Sequence, residues 1–173
     1  MCPHRFIVDG YNVIHHDPRY RLLVTEDLDT ARTRLVEDVA SLAAGESRAV
    51  IVFDGGGNPF SDGTPHHVAG VTVIFSPCGE TADSVVEALA GRSRERGERV
   101  TVVTSDAATQ WTVFAGEVSR MSSAEFSRKL IETGRDWEAH APTGSVRGRL
   151  EDRIAEGVRE TLSRWARGDA PSS

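Results

Sequence analysis

Apolar residues recur along the chain in two spacings, which distinguish strands from helices. Uninterrupted apolar runs are typical of buried strands, and they predict strands at residues 6–8, 49–53, 71–75 and 100–103, with a fifth beginning at Val118. Apolar residues three and four apart predict helices at residues 28–44, 81–90, 122–131 and 150–165, and another through Trp111 and Phe114. Strands that alternate with helices indicate an α/β fold, with a central, mainly parallel sheet and helices on both faces.

The chain is long enough for one domain with a buried core, since it has 173 residues. We predict that residues 1–132 form this domain. Gly and Pro punctuate residues 133–146, which indicates a linker-like segment. Residues 147–173 predict a C-terminal amphipathic helix with a frayed tail.

Composition narrows the possible classes of protein and the expected cellular compartment. Hydrophobic residues make up 39% of the chain and charged residues 27%, which is typical of a globular protein. The net charge of −6 gives no overall signal for nucleic-acid binding, so such binding requires a local basic patch. The sequence contains no run of 18 apolar residues and no signal-peptide pattern. We therefore expect a cytoplasmic protein with no membrane partner.

Aspartates follow three of the predicted strands: Asp9 after FIV, Asp54 after VIVF and Asp106 after VVTS. Glu80 and Asp83 lie where the helix after the strand VTVIF begins. Each acid alone has a simpler interpretation, as a turn residue or as an acidic residue in the first turn of a helix. Parallel strands, however, place their carboxyl ends at one edge of the sheet, where ligands bind. The set therefore predicts an acidic site at that edge.

A divalent cation is the ligand that such a site favours. Neighbouring carboxylates repel one another, and desolvation makes their charged forms costly. Mg²⁺ or Mn²⁺ relieves both effects, prefers oxygen ligands and activates water in phosphodiester cleavage. Asn12, Thr104 and Ser105 lie beside the predicted acids and are candidates to orient ligands or waters.

Three segments resemble the YacP-type NYN domains of the PIN-like nuclease superfamily. They are FIVDGYNVI at residues 6–14, GETADSVVE at residues 79–87 and VVTSDAATQ at residues 102–110. The resemblance covers about residues 5–131. It implies a PIN-like three-layer sandwich with metal-dependent endoribonuclease activity. One branch of the family resembles a ribosome-associated enzyme that cuts mRNA, so RNA and possible ribosome binding are implied.

The resemblance also implies roles for single residues. Asp9, Asp83 and Asp106 match the metal-binding, catalytic acids of the family. Asn12 matches the motif asparagine, and Glu80 matches the motif glutamate. Asp54 matches a supporting position.

Basic residues that could contact RNA phosphates lie in two places. The candidates are Arg92, Arg94, Arg96, Arg99, Arg128 and Lys129. Interleaved acids such as Glu95 and Glu98 leave open a second interpretation, in which the arginines only form ion pairs on a solvated helix face.

Other functions remain open on the sequence. The first alternative is a non-catalytic RNA- or ribosome-binding module that keeps the PIN-like fold. A phosphatase of the haloacid dehalogenase type needs a second aspartate two residues after the first, where this chain has Tyr11. We expect Tyr11 to pack in the core and Gly10 to form a tight turn. His15 and His16 follow this turn, and either could face the site.

Overall fold

The computed structural model describes residues 4–43, 47–105, 118–140 and 147–167, and Asp106 and the helix predicted through Trp111 lie outside them. The described strands are β1 (His4–Asp9), β2 (Ser47–Phe53), β3 (His66–Val68), β4 (Val71–Phe75), β5 (Arg99–Val103) and β6 (Val118–Met121). The described helices are α1 (Gly10–His16), α2 (Pro18–Glu26), α3 (Leu28–Ala43), α4 (Ala82–Glu95), α5 (Ser123–His140) and α6 (Arg147–Arg167). Among these helices, none combines the length and apolarity needed to cross a lipid bilayer.

The six strands form one sheet in the order β3-β4-β2-β1-β5-β6. Only β3 is antiparallel to its neighbour, so the predicted mainly parallel sheet is confirmed. Asp9 lies opposite Val52 of β2, and Val8 lies opposite Val103 of β5. The carboxyl ends of β1, β2 and β5 therefore lie side by side at one edge of the sheet.

Alternate residues of the strands pack on opposite faces of the sheet. Phe6 and Val8 of β1 belong to the larger core, which also contains buried residues of α1, α2, α3, α5 and α6. Ile7 points the other way, into a smaller core with Ala82 and Val86 of α4. Helices thus cover both faces, and the predicted three-layer α/β sandwich is confirmed.

The predicted tight turn at Gly10 is wrong, because α1 starts there directly after β1. The Asp9 carboxylate is the N-cap of α1 and accepts a hydrogen bond from the Asn12 N–H at 3.1 Å. A Cβ atom on Gly10 would lie 2.4 Å from the Phe53 ring. Glycine is needed here for close packing against β2, and not for a turn.

The C-terminal third of the chain is more helical than the sequence predicts. The Ser122–Glu125 capping box is present, with the Ser122 N–H donating to Glu125 Oε2 at 2.9 Å. From there α5 continues to His140, so residues 133–140 are helical where a linker-like segment was predicted. The predicted terminal helix, α6, is present, and its Leu162 is fully buried in the larger core.

Candidate active site

A cavity of about 450 Å³ opens at the carboxyl edge of the sheet, and we call it the acidic cavity. Asp9, Asp54 and Asp83 line its wall. They come from the end of β1, the loop after β2 and the first turn of α4. Three acids distant in sequence therefore share one concave surface. The remaining lining residues are Tyr11, Asn12, His15, His16, Thr81 and Ala82.

Asp9 is the most buried of these acids, with 9% of its surface exposed. Its Oδ1 atom accepts the Asn12 N–H that begins α1, and the N-terminal end of a helix favours a negative charge. This contact fixes the carboxylate against the end of β1. Asp9 can therefore present a charged oxygen to the cavity without reorienting.

Asp54 and Asp83 are held by local backbone structure. Asp54 Oδ1 accepts the Gly56 N–H at 2.8 Å, which orders the start of the loop after β2. Asp83 is exposed one residue inside α4, whose N-cap Thr81 accepts the Ser84 N–H at 3.2 Å. Each position follows from an Asx-type turn or a helix cap, which short polar residues form locally.

Asn12 connects three segments around the acidic cavity. Its Oδ1 atom accepts hydrogen bonds from the Ser105 N–H at 2.8 Å and from the Ser123 hydroxyl at 2.7 Å. The Ser105 hydroxyl in turn accepts the Ser123 N–H at 3.2 Å. Asn12 thus joins the start of α1 to the end of β5 and the start of α5. Thr104 is buried just before Ser105, and its carbonyl accepts a hydrogen bond from Arg120.

One predicted acid, Glu80, is not on the cavity wall, and another, Asp106, cannot be placed because it lies outside the described residues. Glu80 is exposed before α4 and is absent from the cavity wall. Asp106 follows Ser105 in sequence and lies outside the described residues.

The predicted RNA-binding residues lie away from the acids. Arg92 is about 14 Å along α4 from Asp83, at a rise of about 1.5 Å per residue. Arg99 begins β5, at the amino edge of the sheet, which is the opposite edge from the acidic cavity. Burial, and then the charges of Arg99 and Lys129, lower the pKa of His4 at the start of β1. None of the six predicted basic residues, all of them described, lines the acidic cavity: Arg92, Arg94, Arg96, Arg99, Arg128 and Lys129.

Tyr11 and Arg32 form a pair at the cavity that the sequence pattern did not reveal. The Tyr11 hydroxyl accepts hydrogen bonds from Arg32 Nε, at 2.9 Å, and from Arg32 Nη2. Burial raises the pKa of Tyr11 above its usual value. The Tyr11 ring packs on Phe53 with a centroid separation of 5.1 Å, so the expected core packing is part of its role. A buried arginine in the middle of an amphipathic helix gives no separate signal in sequence.

Both histidines of α1 lie on the wall of the acidic cavity. The sequence left open whether either of them faced the site. The ring Nδ1 of His16 is 2.9 Å from the Asn12 carbonyl oxygen, which orients that imidazole. Two groups that can donate hydrogen bonds to phosphate therefore lie beside the acids.

The donor chemistry of the acidic cavity fits a hard divalent cation. Within the described ranges, no three His, Cys, Asp or Glu side chains lie close enough together to surround one ion. Mg²⁺ commonly takes only one or two protein carboxylates and completes its coordination with water and substrate phosphate. Asp9 and Asp83 offer such carboxylates at one cavity.

A mainly parallel sheet with helices on both faces and an acidic cavity at its carboxyl edge defines an α/β domain whose ligand site lies beyond the strand ends. The YacP-like NYN domain family matches residues 6–167, and the chain belongs to this family. The match continues through α6, beyond the segment over which the motifs suggested a resemblance. Membership indicates an RNA-related, nuclease-like fold.

Individual relatives agree with this assignment. The chain is 29% identical over 180 residues to the uncharacterized protein YacP of Bacillus subtilis strain 168, covering 94% of this chain and 96% of the relative. It is similar to the crystal structure of Rae1 (YacP) from Bacillus subtilis, with a TM-score of 0.64, 29% identity and 95% of both chains covered. A tryptophan-to-leucine variant of Rae1 gives a TM-score of 0.66 at 29% identity, with 96% of both chains covered.

Proposed function

We propose that this protein is a metal-dependent endoribonuclease that hydrolyses phosphodiester bonds in RNA. The observation that carries the proposal is the placement of Asp9, Asp54 and Asp83 on one cavity at the carboxyl edge of the sheet. Membership in the YacP-like NYN domain family supports RNA as the substrate class.

The residues divide into those that hold the cation and those that orient them. Asp9 and Asp83 would hold Mg²⁺ or Mn²⁺, with Asp106 as the expected third carboxylate. A cation bound there would neutralise the phosphate and lower the pKa of water. Asn12 keeps the ends of β1 and β5 at a fixed separation through its two hydrogen bonds. His15 and His16 are positioned to donate to phosphate oxygens at the same wall.

The decisive experiment measures Mn²⁺- and Mg²⁺-dependent cleavage of RNA by the Asp83→Asn variant. This substitution removes the charge, keeps the size and affects an exposed side chain, so the fold should persist. We expect cleavage to fall by at least about a hundredfold, because a catalytic cation lowers the activation free energy by several kcal/mol and the variant loses a carboxylate that would hold it. Glu87→Gln is the matched control, since Glu87 is exposed one turn later on α4 and does not line the cavity. Cleavage by Asp83→Asn at the wild-type rate would refute the mechanism.

The substrate should be supplied both as free RNA and as mRNA on ribosomes. We propose mRNA as the substrate, with the ribosome as a partner that presents it. The contrary result is RNA that binds in both settings and is cleaved in neither, even with added metal. That result would refute the endoribonuclease proposal and support the alternative, a non-catalytic RNA- or ribosome-binding module.

A further inference from the structure

A second cavity, of about 470 Å³, adjoins the acidic cavity, and we call it the side cavity. The two share Tyr11, His15 and Asp54 in their walls. Its volume lies within the range of about 300–1,000 Å³ that is typical of small-molecule sites. If the phosphate of a nucleotide occupied the acidic cavity, the rest of that nucleotide could therefore extend into the side cavity.

The walls of the side cavity are mostly apolar and come from separate elements. Val24 of α2, Leu28 of α3, Phe75 of β4 and Ala166 of α6 face it. The Asn58 side-chain amide donates to the Ala166 carbonyl at 3.1 Å and so holds the end of α6 against the loop after β2. Apolar and aromatic walls suit a planar, uncharged ring.

The charges in the side cavity argue against phosphate as its occupant. Arg32 is buried and already engaged, because it donates to the Tyr11 hydroxyl and forms an ion pair with Asp29 at 2.5 Å. Its guanidinium also lies over the Phe75 ring, 5.8 Å from the centroid. Asp54 adds a carboxylate that repels anions, and Asp9 and Asp83, which would hold the cation that offsets such repulsion, line only the acidic cavity. The cavity therefore favours the neutral part of a nucleotide.

The Tyr11 hydroxyl supplies a directional contact at the boundary of the two cavities. It accepts both hydrogen bonds from Arg32, and its own proton has no acceptor among the described residues. Tyr11 can therefore donate to an oxygen or nitrogen of a ligand.

We propose that the side cavity binds the nucleobase of the nucleotide adjoining the scissile phosphate. The base would lie among Val24, Leu28 and Phe75, and the Tyr11 hydroxyl would donate to the base or its ribose. This assignment rests on the proposed function, because the acidic cavity places the phosphate next to it. On this proposal, the side cavity determines which base the site prefers.

Binding of mononucleotides tests the side cavity without requiring cleavage. The four ribonucleoside 5′-monophosphates, ribose 5-phosphate and inorganic phosphate are titrated by calorimetry into the full-length protein with Mg²⁺. We expect at least one nucleotide to bind about tenfold or more tightly than ribose 5-phosphate, since burial of a base against aromatic and apolar walls has about this effect.

Variants on two walls localise that binding. Val24→Phe fills the cavity from α2, and Ala166→Met fills it from α6. Each should lower nucleotide affinity about tenfold and leave phosphate affinity unchanged. Leu22→Phe is the matched control, because Leu22 lies two residues earlier on α2, is 71% exposed and does not line the cavity. If Val24→Phe does not fold, Ala166→Met decides.

Two results would overturn the assignment. One is equal affinity for the nucleotides and ribose 5-phosphate in the wild-type protein. The other is nucleotide affinity in folded Val24→Phe or Ala166→Met equal to that in Leu22→Phe. Failure of RNA cleavage would refute the proposed function instead, and the nucleotide titrations would still report on the cavity.

Discussion

A single oxygen atom of Asn12 links segments that are far apart in sequence. Its partners, Ser105 and Ser123, are 93 and 111 residues away. The DGYN motif identified Asn12 as a supporting residue, but no local pattern can name partners at that distance. Since the Oδ1 atom satisfies both a backbone N–H and a hydroxyl, its loss leaves two donors unpaired near the acids.

Asn12→Ala should therefore weaken both stability and cleavage. We expect the free energy of unfolding to fall by about 1–3 kcal/mol, the typical cost of leaving buried polar groups unpaired. Urea unfolding measures this change. Asn12→Asp is the matched control, because its carboxylate can accept the same two hydrogen bonds and should retain more of the stability. Equal stability of Asn12→Ala and wild type would show that the three segments do not depend on this contact.

Asp17 should make stability depend on pH. Burial raises the pKa of its carboxyl, but the hydrogen bonds from Arg19 outweigh this and lower the pKa below its usual value. A lowered folded-state pKa means that Asp17 stabilises the fold above about pH 4, and that this contribution is lost as the pH falls through the folded-state value.

We expect Asp17→Asn to lower the free energy of unfolding by about 1 kcal/mol at neutral pH, since asparagine still caps α2 but loses the charged contact with Arg19. Urea unfolding from about pH 7 to about pH 3 should show this difference shrinking below about pH 4. A difference that stays constant over that range would contradict the assignment.

Among the helices and strands, the hydrophobic pattern predicted the long, buried ones and the four-residue strand β6, but it missed α1, α2 and β3. The run AVIVF at residues 49–53 is apolar throughout, because β2 is covered on both faces. By contrast, α1 has only seven residues and ends in two histidines, so it gives no helical repeat. Its start depends on a cap at Asp9, which the sequence presented as a turn. β3 has three residues and pairs only with β4, so its strand character depends on the partner.

The same limit applies to the candidate site. Asp9, Asp54 and Asp83 could be grouped from sequence, because parallel strands place their carboxyl ends at one edge. The pairing of Tyr11 with Arg32 depends on how α3 packs beside α1, and that packing has no local signature. For the same reason, the contribution of Ala166 from α6 to the side cavity could not be predicted.

α6 should unfold together with the rest of the molecule. Leu162 is fully buried, and it shares the larger core with Leu35 of α3 and Phe126 of α5. We expect Leu162→Ala to lower the free energy of unfolding by about 2–5 kcal/mol in a single transition, which urea unfolding followed by circular dichroism measures. Leu22→Ala is the matched control, since Leu22 is 71% exposed. A separate early transition, or equal effects of the two variants, would show that α6 is an independent segment.

For the whole molecule, the acidic cavity and the predicted RNA-binding residue Arg99 lie at opposite edges of the sheet. The acidic cavity lies at the carboxyl edge, and Arg99 lies at the amino edge. α4 spans the two, with Asp83 in its first turn and Arg92 in its last. Because Arg92 lies about 14 Å along α4 from Asp83, at about 1.5 Å per residue, Arg92 and the arginines after it would not contact a phosphate bound at the acidic cavity. Any RNA they bind must be a part of the strand that continues past the site.

Removing the charges of two arginines on α4 distinguishes their effect on RNA binding from an effect on RNA cleavage. In an Arg92→Gln, Arg96→Gln double variant, we expect KM for a long RNA to rise and kcat to stay unchanged, because only distant phosphate contacts are lost. The slope of log affinity against log salt should decrease by about 1.4, at about 0.7 for each single-strand phosphate contact. A dinucleotide substrate, too short to reach the arginines, should be cleaved equally by both proteins. An unchanged salt slope would show that these arginines only form a solvated helix face and do not bind RNA. A fall in kcat would show that they act at the acidic cavity itself.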